Sequence, residues 1–158
     1  MDLRDYFEAT WTARGRLLEA AGKLTREEWR REFDISWRSL QRLFAHIIEV
    51  ERSWIVEDIL RGKYAWAGDS EIERLYATPE AARVRGQEVA EQTRGTLAEF
   101  VPTRLQESRQ GKDVHGSIVD FTVEQILTHV FTHELRHQGQ LQAMLRLLGK
   151  EPPNADWI

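Results

Sequence analysis

The 158-residue chain is long enough to bury one ordinary hydrophobic core, and its 41% hydrophobic and 30% charged residues are typical of a globular protein, not a disordered one. The net charge of −4, with Lys and Arg scattered among Asp and Glu, excludes the basic surface of a typical nucleic-acid-binding protein. The absence of cysteine excludes thiolate metal sites, disulfides and a catalytic thiol on this sequence.

The sequence also carries a prediction of location. Its first residues are acidic and lack an apolar signal core, and its apolar runs are far shorter than the roughly 20 residues needed to span a bilayer. We therefore expect a single domain over residues 1–158, no membrane association and a cytoplasmic location.

Hydrophobic spacing of three and four residues predicts helices in the first half of the chain. The first predicted helix covers Asp2–Ala21 and ends before Gly22. A short helical turn is expected at Thr25, where Glu28 completes a capping box. The second predicted helix covers 36–60, with Trp37 in its inner stripe.

The middle of the chain has a weaker pattern. Residues 63–78 show no clear period and are predicted to be an irregular connection, after which Thr78 caps a third helix over Pro79–Phe100. The small residues on the inner face of this helix allow neighbouring helices to approach closely. Between residues 101 and 121 we expect a short hairpin, with its turn at 110–113 and an extended segment at 117–121.

The last helix has the clearest boundaries. Thr122 and Gln125 form a capping box at its start, and Leu148 with Gly149 marks its end. Four long helices without long strands predict an all-α four-helix bundle with irregular connections.

The last helix carries three histidines at spacings of four, which places them one turn apart on one side of the helix. His137 lies near the centre of the apolar stripe, His133 slightly off centre, and His129 at the edge. Two inner histidines one turn apart favour a metal site, because an apolar interior otherwise has to satisfy four imidazole nitrogens.

A single helix supplies only two ligands, so another element has to provide a third. His46 lies in the second predicted helix and faces the bundle interior, which makes it the best candidate. His115 in the predicted hairpin is a weaker one. Three neutral imidazoles leave coordination positions open, which is typical of a catalytic site. A metal there lowers the pKa of bound water or accepts a thiolate, and without cysteine the thiol has to come from a cosubstrate.

Residues His133–His137 also match the zinc-peptidase pattern H-E-x-x-H, in which Glu134 is the general base. The extended form of this pattern fails, because Gln140 replaces its glycine and Ala143 its last histidine. No sheet that binds substrate is predicted upstream. The pattern is therefore weak evidence for a peptidase.

A di-iron carboxylate bundle is the second alternative. Glu134 and His137 form one Glu-x-x-His unit, but no other histidine has a glutamate three residues before it. A two-metal site is disfavoured.

Two parts of the sequence resemble the DinB/YfiT-like superfamily. Its hallmark is a histidine in the second helix, here His46, and H-x-x-x-H-x-G-Q in the last helix, here beginning at His133. The ending at 148–153 is also similar. The resemblance extends from the first helix to the C-terminal tail and implies a four-helix bundle with a pseudo-threefold metal site.

The resemblance implies one divalent ion per chain, Zn²⁺ or Ni²⁺, with His46, His133 and His137 as ligands, and a homodimer. Characterised members include thiol-dependent S-transferases and a mycothiol-dependent maleylpyruvate isomerase, and some members are named for induction after DNA damage. Our leading hypothesis is accordingly a metal-dependent S-transferase that joins a low-molecular-weight thiol to a small-molecule substrate. The alternatives are a metal hydrolase with Glu134 as base, and a stress-related metal-binding protein without activity.

One position departs from the superfamily pattern. Gln138 stands where an arginine usually precedes the glycine, which affects any role of that arginine in holding an anionic substrate or a neighbouring carboxylate. Gly139 is expected to permit close helix approach, and Gln140 to hydrogen-bond a residue of the site.

Overall fold

The structure is a computed structural model that describes residues 2–35, 37–101, 103–113 and 115–154. Within these ranges, helices account for most of the chain and a two-stranded antiparallel sheet for a small part. The elements are α1 (Leu3–Ala21), α2 (Arg26–Arg30), α3 (Leu40–Ser53), a π-helical segment (Trp54–Ile59), α4 (Asp69–Leu75), α5 (Pro79–Phe100), β1 (Ser108–Lys112), β2 (Ile118–Thr122) and α6 (Val123–Leu147).

Four long helices form the bundle, which confirms the predicted all-α class. Helix α1 packs against α5 and α6, and α3 packs against the same two helices. Helices α1 and α3 are therefore diagonally opposite each other. No helix in the described ranges has both the length and the apolar character needed to cross a membrane.

Local capping explains several of the helix boundaries. The Thr25 and Thr122 side chains each accept a hydrogen bond from the backbone three residues later, and each forms the predicted capping box. Helix α6 ends where Gly149 adopts a φ of 72°, with the Lys150 N–H donating to the Leu145 carbonyl at 3.0 Å. This left-handed conformation is easily reached by glycine and satisfies the final carbonyls of the helix.

The second helix begins later than predicted and ends where predicted, but its final turns are π-helical. Helix α3 begins at Leu40, capped by the Ser39 side chain, and the predicted starting residue 36 lies outside the described residues. Trp37 precedes the helix and is 45% exposed, so it does not belong to an inner stripe. The final turns form the π-helical segment, in which the Leu60 N–H donates to the Ile55 carbonyl.

The connections also differ from the prediction. Residues 63–78 contain helix α4, and this part of the prediction was wrong because none of the residues of α4 is buried and no apolar stripe marks it. The predicted hairpin is present, but residues 110–112 belong to β1 and pair with β2, so its connection begins after Lys112 and not at 110. Gly111 pairs with Val119, and the ring of Phe121 packs close beside it.

The apolar core is divided into two clusters along the bundle. One cluster contains Leu17, Trp29, Leu43, Phe44, Ile48, Leu141 and Met144, and the other contains Phe7, Trp11, Ile55, Leu97, Phe100, Ile126 and Val130. On α1 and α6, buried polar and charged residues lie between the segments that contribute to the two clusters. This polar layer contains Arg14 on α1, Glu51 on α3 and Glu134 on α6.

Candidate metal centre

The three histidines proposed as ligands lie together. His133 and His137 project from successive turns of α6, and His46 reaches them from α3, since these two helices are in contact. One ring nitrogen of each residue lies within 4.8 Å of the others, and the Nε2 atoms of His46 and His133 are 2.9 Å apart. His133 and His137 are buried, at 8% and 5% exposure.

The donor atoms fit a small divalent ion. Two imidazole nitrogens on one tetrahedral Zn²⁺, at about 2.0–2.1 Å each, are roughly 3.3 Å from each other. The spacing of 2.9 Å between His46 and His133 is close to this value, and the upper limit of 4.8 Å for the group requires only small ring movements. The three histidines could therefore hold one ion.

Two neighbours orient the rings. The Nδ1 of His137 lies 2.6 Å from the Oε1 of Gln140, an amide oxygen that accepts, so Nδ1 carries the proton and Nε2 carries the lone pair. Gln140 therefore has the predicted role of a hydrogen-bond partner of the site. Trp37 stacks on His46 with ring centroids 4.0 Å apart and an interplanar angle of 23°.

Burial keeps the rings neutral. It is the main cause that lowers the pKa of His46 to about 4 and that of His133 to about 3, and the neighbouring rings lower both further. The pKa of His137 is also lowered, again chiefly by burial. A neutral imidazole is the form that binds a metal ion, so the surroundings favour ligation at neutral pH.

The other two histidines are outside this group. His129 is exposed, and its ring packs on Trp54 at a centroid distance of 5.0 Å and lies 6.2 Å from the ring of His133. His115 is exposed in the turn between β1 and β2, where its N–H donates to the Asp113 side chain. Neither belongs to the set of histidines that could hold an ion.

Behind the histidines, Arg14 bridges two carboxylates in the bundle interior. Its Nη1 lies 2.9 Å from Glu51 and 3.1 Å from Glu134, and all three side chains are almost completely buried. Trp11 and Thr93 also donate hydrogen bonds to Glu51. Although burial opposes its charge, the two carboxylates raise the pKa of Arg14.

Gln138 completes this network. Its amide donates to Glu134 at 2.9 Å and to the Thr10 carbonyl at 2.9 Å. The cation that pairs with the Glu134 carboxylate is thus Arg14 on α1. A cation at position 138 is not required for this purpose, and Gln138 contributes a neutral hydrogen bond instead. The expected close helix approach at Gly139 is not observed, since this residue is exposed and an added Cβ would meet nothing within 4 Å in the described chain.

The surroundings of Glu134 bear on its proposed role as a base. Its two oxygens accept from Arg14 and Gln138, which lie on the interior side of α6. Burial raises the pKa of Glu134 to about 7, Arg14 lowers it, and the charge of Glu51 raises it further. One guanidinium facing two carboxylates leaves one excess negative charge, and a raised carboxyl pKa is the expected consequence.

The sequence reasoning missed two residues of this region. Arg14 lies between Ala13 and Gly15 on the first helix, and only its alignment with the apolar positions Trp11, Leu17 and Leu18 signals that it faces inward. Trp37 was assigned to a helix, and no pattern in the sequence indicates that it stacks on His46.

The fold and the site together define a helical bundle with a three-histidine group that could hold a metal ion. The sequence matches the model of the DinB family over residues 1–158, and the chain belongs to this family. It is also similar to the uncharacterized protein YizA of Bacillus subtilis (strain 168), with 27% identity over 158 aligned residues, which cover 97% of this chain and 92% of YizA.

The buried network leads to a stability prediction. Arg14→Met leaves two buried carboxylates without a cation, and we expect the unfolding free energy to fall by about 3–5 kcal/mol in urea titrations. The matched control is Arg94→Met, which removes an exposed ion pair with Glu8 between α5 and α1 and should cost about 1 kcal/mol or less. Equal losses in the two variants would contradict the role assigned to Arg14.

The lowered histidine pKa values predict acid sensitivity of the metal-free protein. In the unfolded chain these histidines have a pKa near 6.5, so below that pH the unfolded chain binds protons that the folded rings do not. The histidines therefore cost no unfolding free energy above pH 6.5, and the unfolding free energy falls as the pH drops toward 3–4. When the pH is lowered from 7.5 to 5 in EDTA, the unfolding free energy of His133→Gln should fall by about 1–2 kcal/mol less than that of the parent. The exposed His115→Gln serves as control, and identical pH profiles for parent and His133→Gln would count against the prediction.

Proposed function

We propose that this DinB-family protein binds one divalent metal ion, Zn²⁺ or Ni²⁺, through His46, His133 and His137, and uses it in a thiol-dependent S-transfer. The observation that carries the proposal is the convergence of three neutral imidazoles on one point, with His133 and His137 buried on α6 and His46 half-buried on α3. Imidazole is a good ligand for both ions, and a three-histidine site leaves a position open for a further ligand.

When bound, such an ion supplies Lewis acidity, which lowers the pKa of a coordinated thiol or water. The histidines act as neutral donors, Gln140 fixes the tautomer of His137, and Trp37 covers one face of His46. In the proposed reaction the thiol loses its proton to solvent, its sulfur forms a bond to an electrophilic carbon, and the leaving group departs with the electron pair of the broken bond. The sequence contains no cysteine, so the thiol is a cosubstrate.

A cleft beside Trp54 offers space for a small-molecule substrate. Its volume is about 500 Å³, within the range of ligand pockets, and its lining includes Trp54, Glu57, Trp66, Lys112 and Ile118. The ring of Trp54 packs on His129, whose ring lies 6.2 Å from that of the proposed ligand His133. We propose that the electrophile binds here.

The hydrolase alternative is weaker. It needs a base near bound water, and the carboxylate that the H-E-x-x-H pattern offers, Glu134, is engaged with Arg14 and Gln138. A metal-binding protein without activity is the remaining alternative. The homodimer, the cytoplasmic location and the stress-related role stay predictions.

Metal content tests the ligand set. We expect one equivalent of Zn²⁺ or Ni²⁺ in the purified protein by elemental analysis, and none after His133→Ala or His137→Ala. His46→Ala should weaken binding by more than about 100-fold, because a direct ligand matters more than an outer partner. His129→Ala is the control on the same helix and should retain the ion. Full retention in His46→Ala would exclude the proposed set.

The reaction is tested separately with monobromobimane and a panel of thiols. We expect its consumption to accelerate only when both the metal-loaded protein and a thiol are present, and to return to the background rate with His133→Ala. Ester or amide hydrolysis without thiol would favour the hydrolase. Silence in both assays, with metal removal lowering only the melting temperature, would favour a structural metal.

A further inference from the structure

One cation stands at the edge of the histidine group. Arg136 on α6 is exposed, and its Nη2 lies 3.5 Å from the Nε2 of His137. The other nitrogen of this ring is occupied by Gln140, so Nε2 is the atom available to a metal ion. The guanidinium is therefore next to a proposed ligand atom.

Arg136 is in contact with the histidine group through its Nη2 atom. Among the described residues, no carboxylate forms an ion pair with Arg136 or with the three proposed ligands. The carboxylates of Glu51 and Glu134 are engaged with Arg14 in the interior.

A divalent ion beside this guanidinium places three positive charges close together without a protein anion between them. Like charges at this separation repel in a site of reduced dielectric, and a bound anion relieves the repulsion. The planar guanidinium pairs best with a carboxylate, which it binds through two parallel hydrogen bonds, whereas a metal ion such as Zn²⁺ or Ni²⁺ takes a thiolate well.

We propose that Arg136 selects a thiol cosubstrate that carries a carboxylate. The sulfur takes the open position at the metal, and the carboxylate pairs with Arg136 at the edge of the site. This inference rests on the proposed metal site and names the chemical class of the thiol. Arg136 is thus a residue of substrate specificity and does not hold the metal.

The test compares small thiols of equal reach and different charge. Protein loaded with Co²⁺ is titrated with 3-mercaptopropionate, 2-mercaptoethanol and cysteamine, and binding is followed by the sulfur-to-cobalt charge-transfer absorption. We expect 3-mercaptopropionate to bind about tenfold more tightly than 2-mercaptoethanol, as one charge-assisted pair provides, and cysteamine to bind least tightly. Propionate, which has no thiol and gives no such absorption, is measured by its displacement of 3-mercaptopropionate and should bind more weakly than 3-mercaptopropionate.

Two variants separate charge at this position from charge elsewhere. Arg136→Gln should retain one equivalent of Co²⁺ and lose the tenfold preference, with 2-mercaptoethanol affinity unchanged. Arg146→Gln makes the same change on α6 about 15 Å further along the axis and should behave as the parent.

The outcomes are distinct. Equal affinities for the charged and neutral thiols in the parent, or an equal loss of both in Arg136→Gln, would overturn the role of Arg136 while leaving the metal site intact. Propionate binding as tightly as 3-mercaptopropionate would overturn the thiol as the selected class. A parent protein that binds no Co²⁺ would overturn both this inference and the proposed function.

Discussion

The arrangement of the bundle depends on one guanidinium group, that of Arg14, held between the carboxylates of Glu51 and Glu134. A buried ion is costly unless its partners are positioned well, so this contact fixes the relative height of α1, α3 and α6 along the bundle axis. Helices α1 and α3 are diagonally opposite, and the pair between Arg14 and Glu51 joins them across the core. Above and below it, the two apolar clusters fill the space between the helices.

The contact between Arg14 and the two carboxylates also positions the histidine group. His133 directly precedes Glu134, and His137 directly precedes Gln138, so each ring is adjacent in sequence to a residue that is anchored in the interior network. The backbone of α6 is thereby held on one side by the ionic network while its imidazoles face His46 on α3. Such support leaves little freedom for the rings, and a site whose donors are already in place loses little entropy when it binds a ligand.

Much of this arrangement could be predicted from the sequence, and the exceptions have physical reasons. The spacing of apolar residues and the threonine caps predicted α1, α5 and α6, and the spacing of four along α6 with an inward His46 predicted which histidines meet. Arg14 could not be recognised as buried, because a single arginine in an amphipathic helix is usually solvated. Helix α4 is short and contributes only the partly buried Ile72 and Leu75 to the core, too few to show a period. The hairpin turn comes later than predicted, because Gly111 resembles a turn residue but lies in a strand.

The π-helical segment after α3 has a mechanical consequence. A wide turn absorbs one extra residue within a helix without displacing the residues on either side of it. Here the regular helix α3 carries His46, and the π-helical segment that follows it carries Trp54 and Glu57 of the cleft. The wide turns thus line the cleft and the regular turns hold the imidazole, so the shape of the cleft can differ among chains of this fold while the geometry of the imidazoles stays constant.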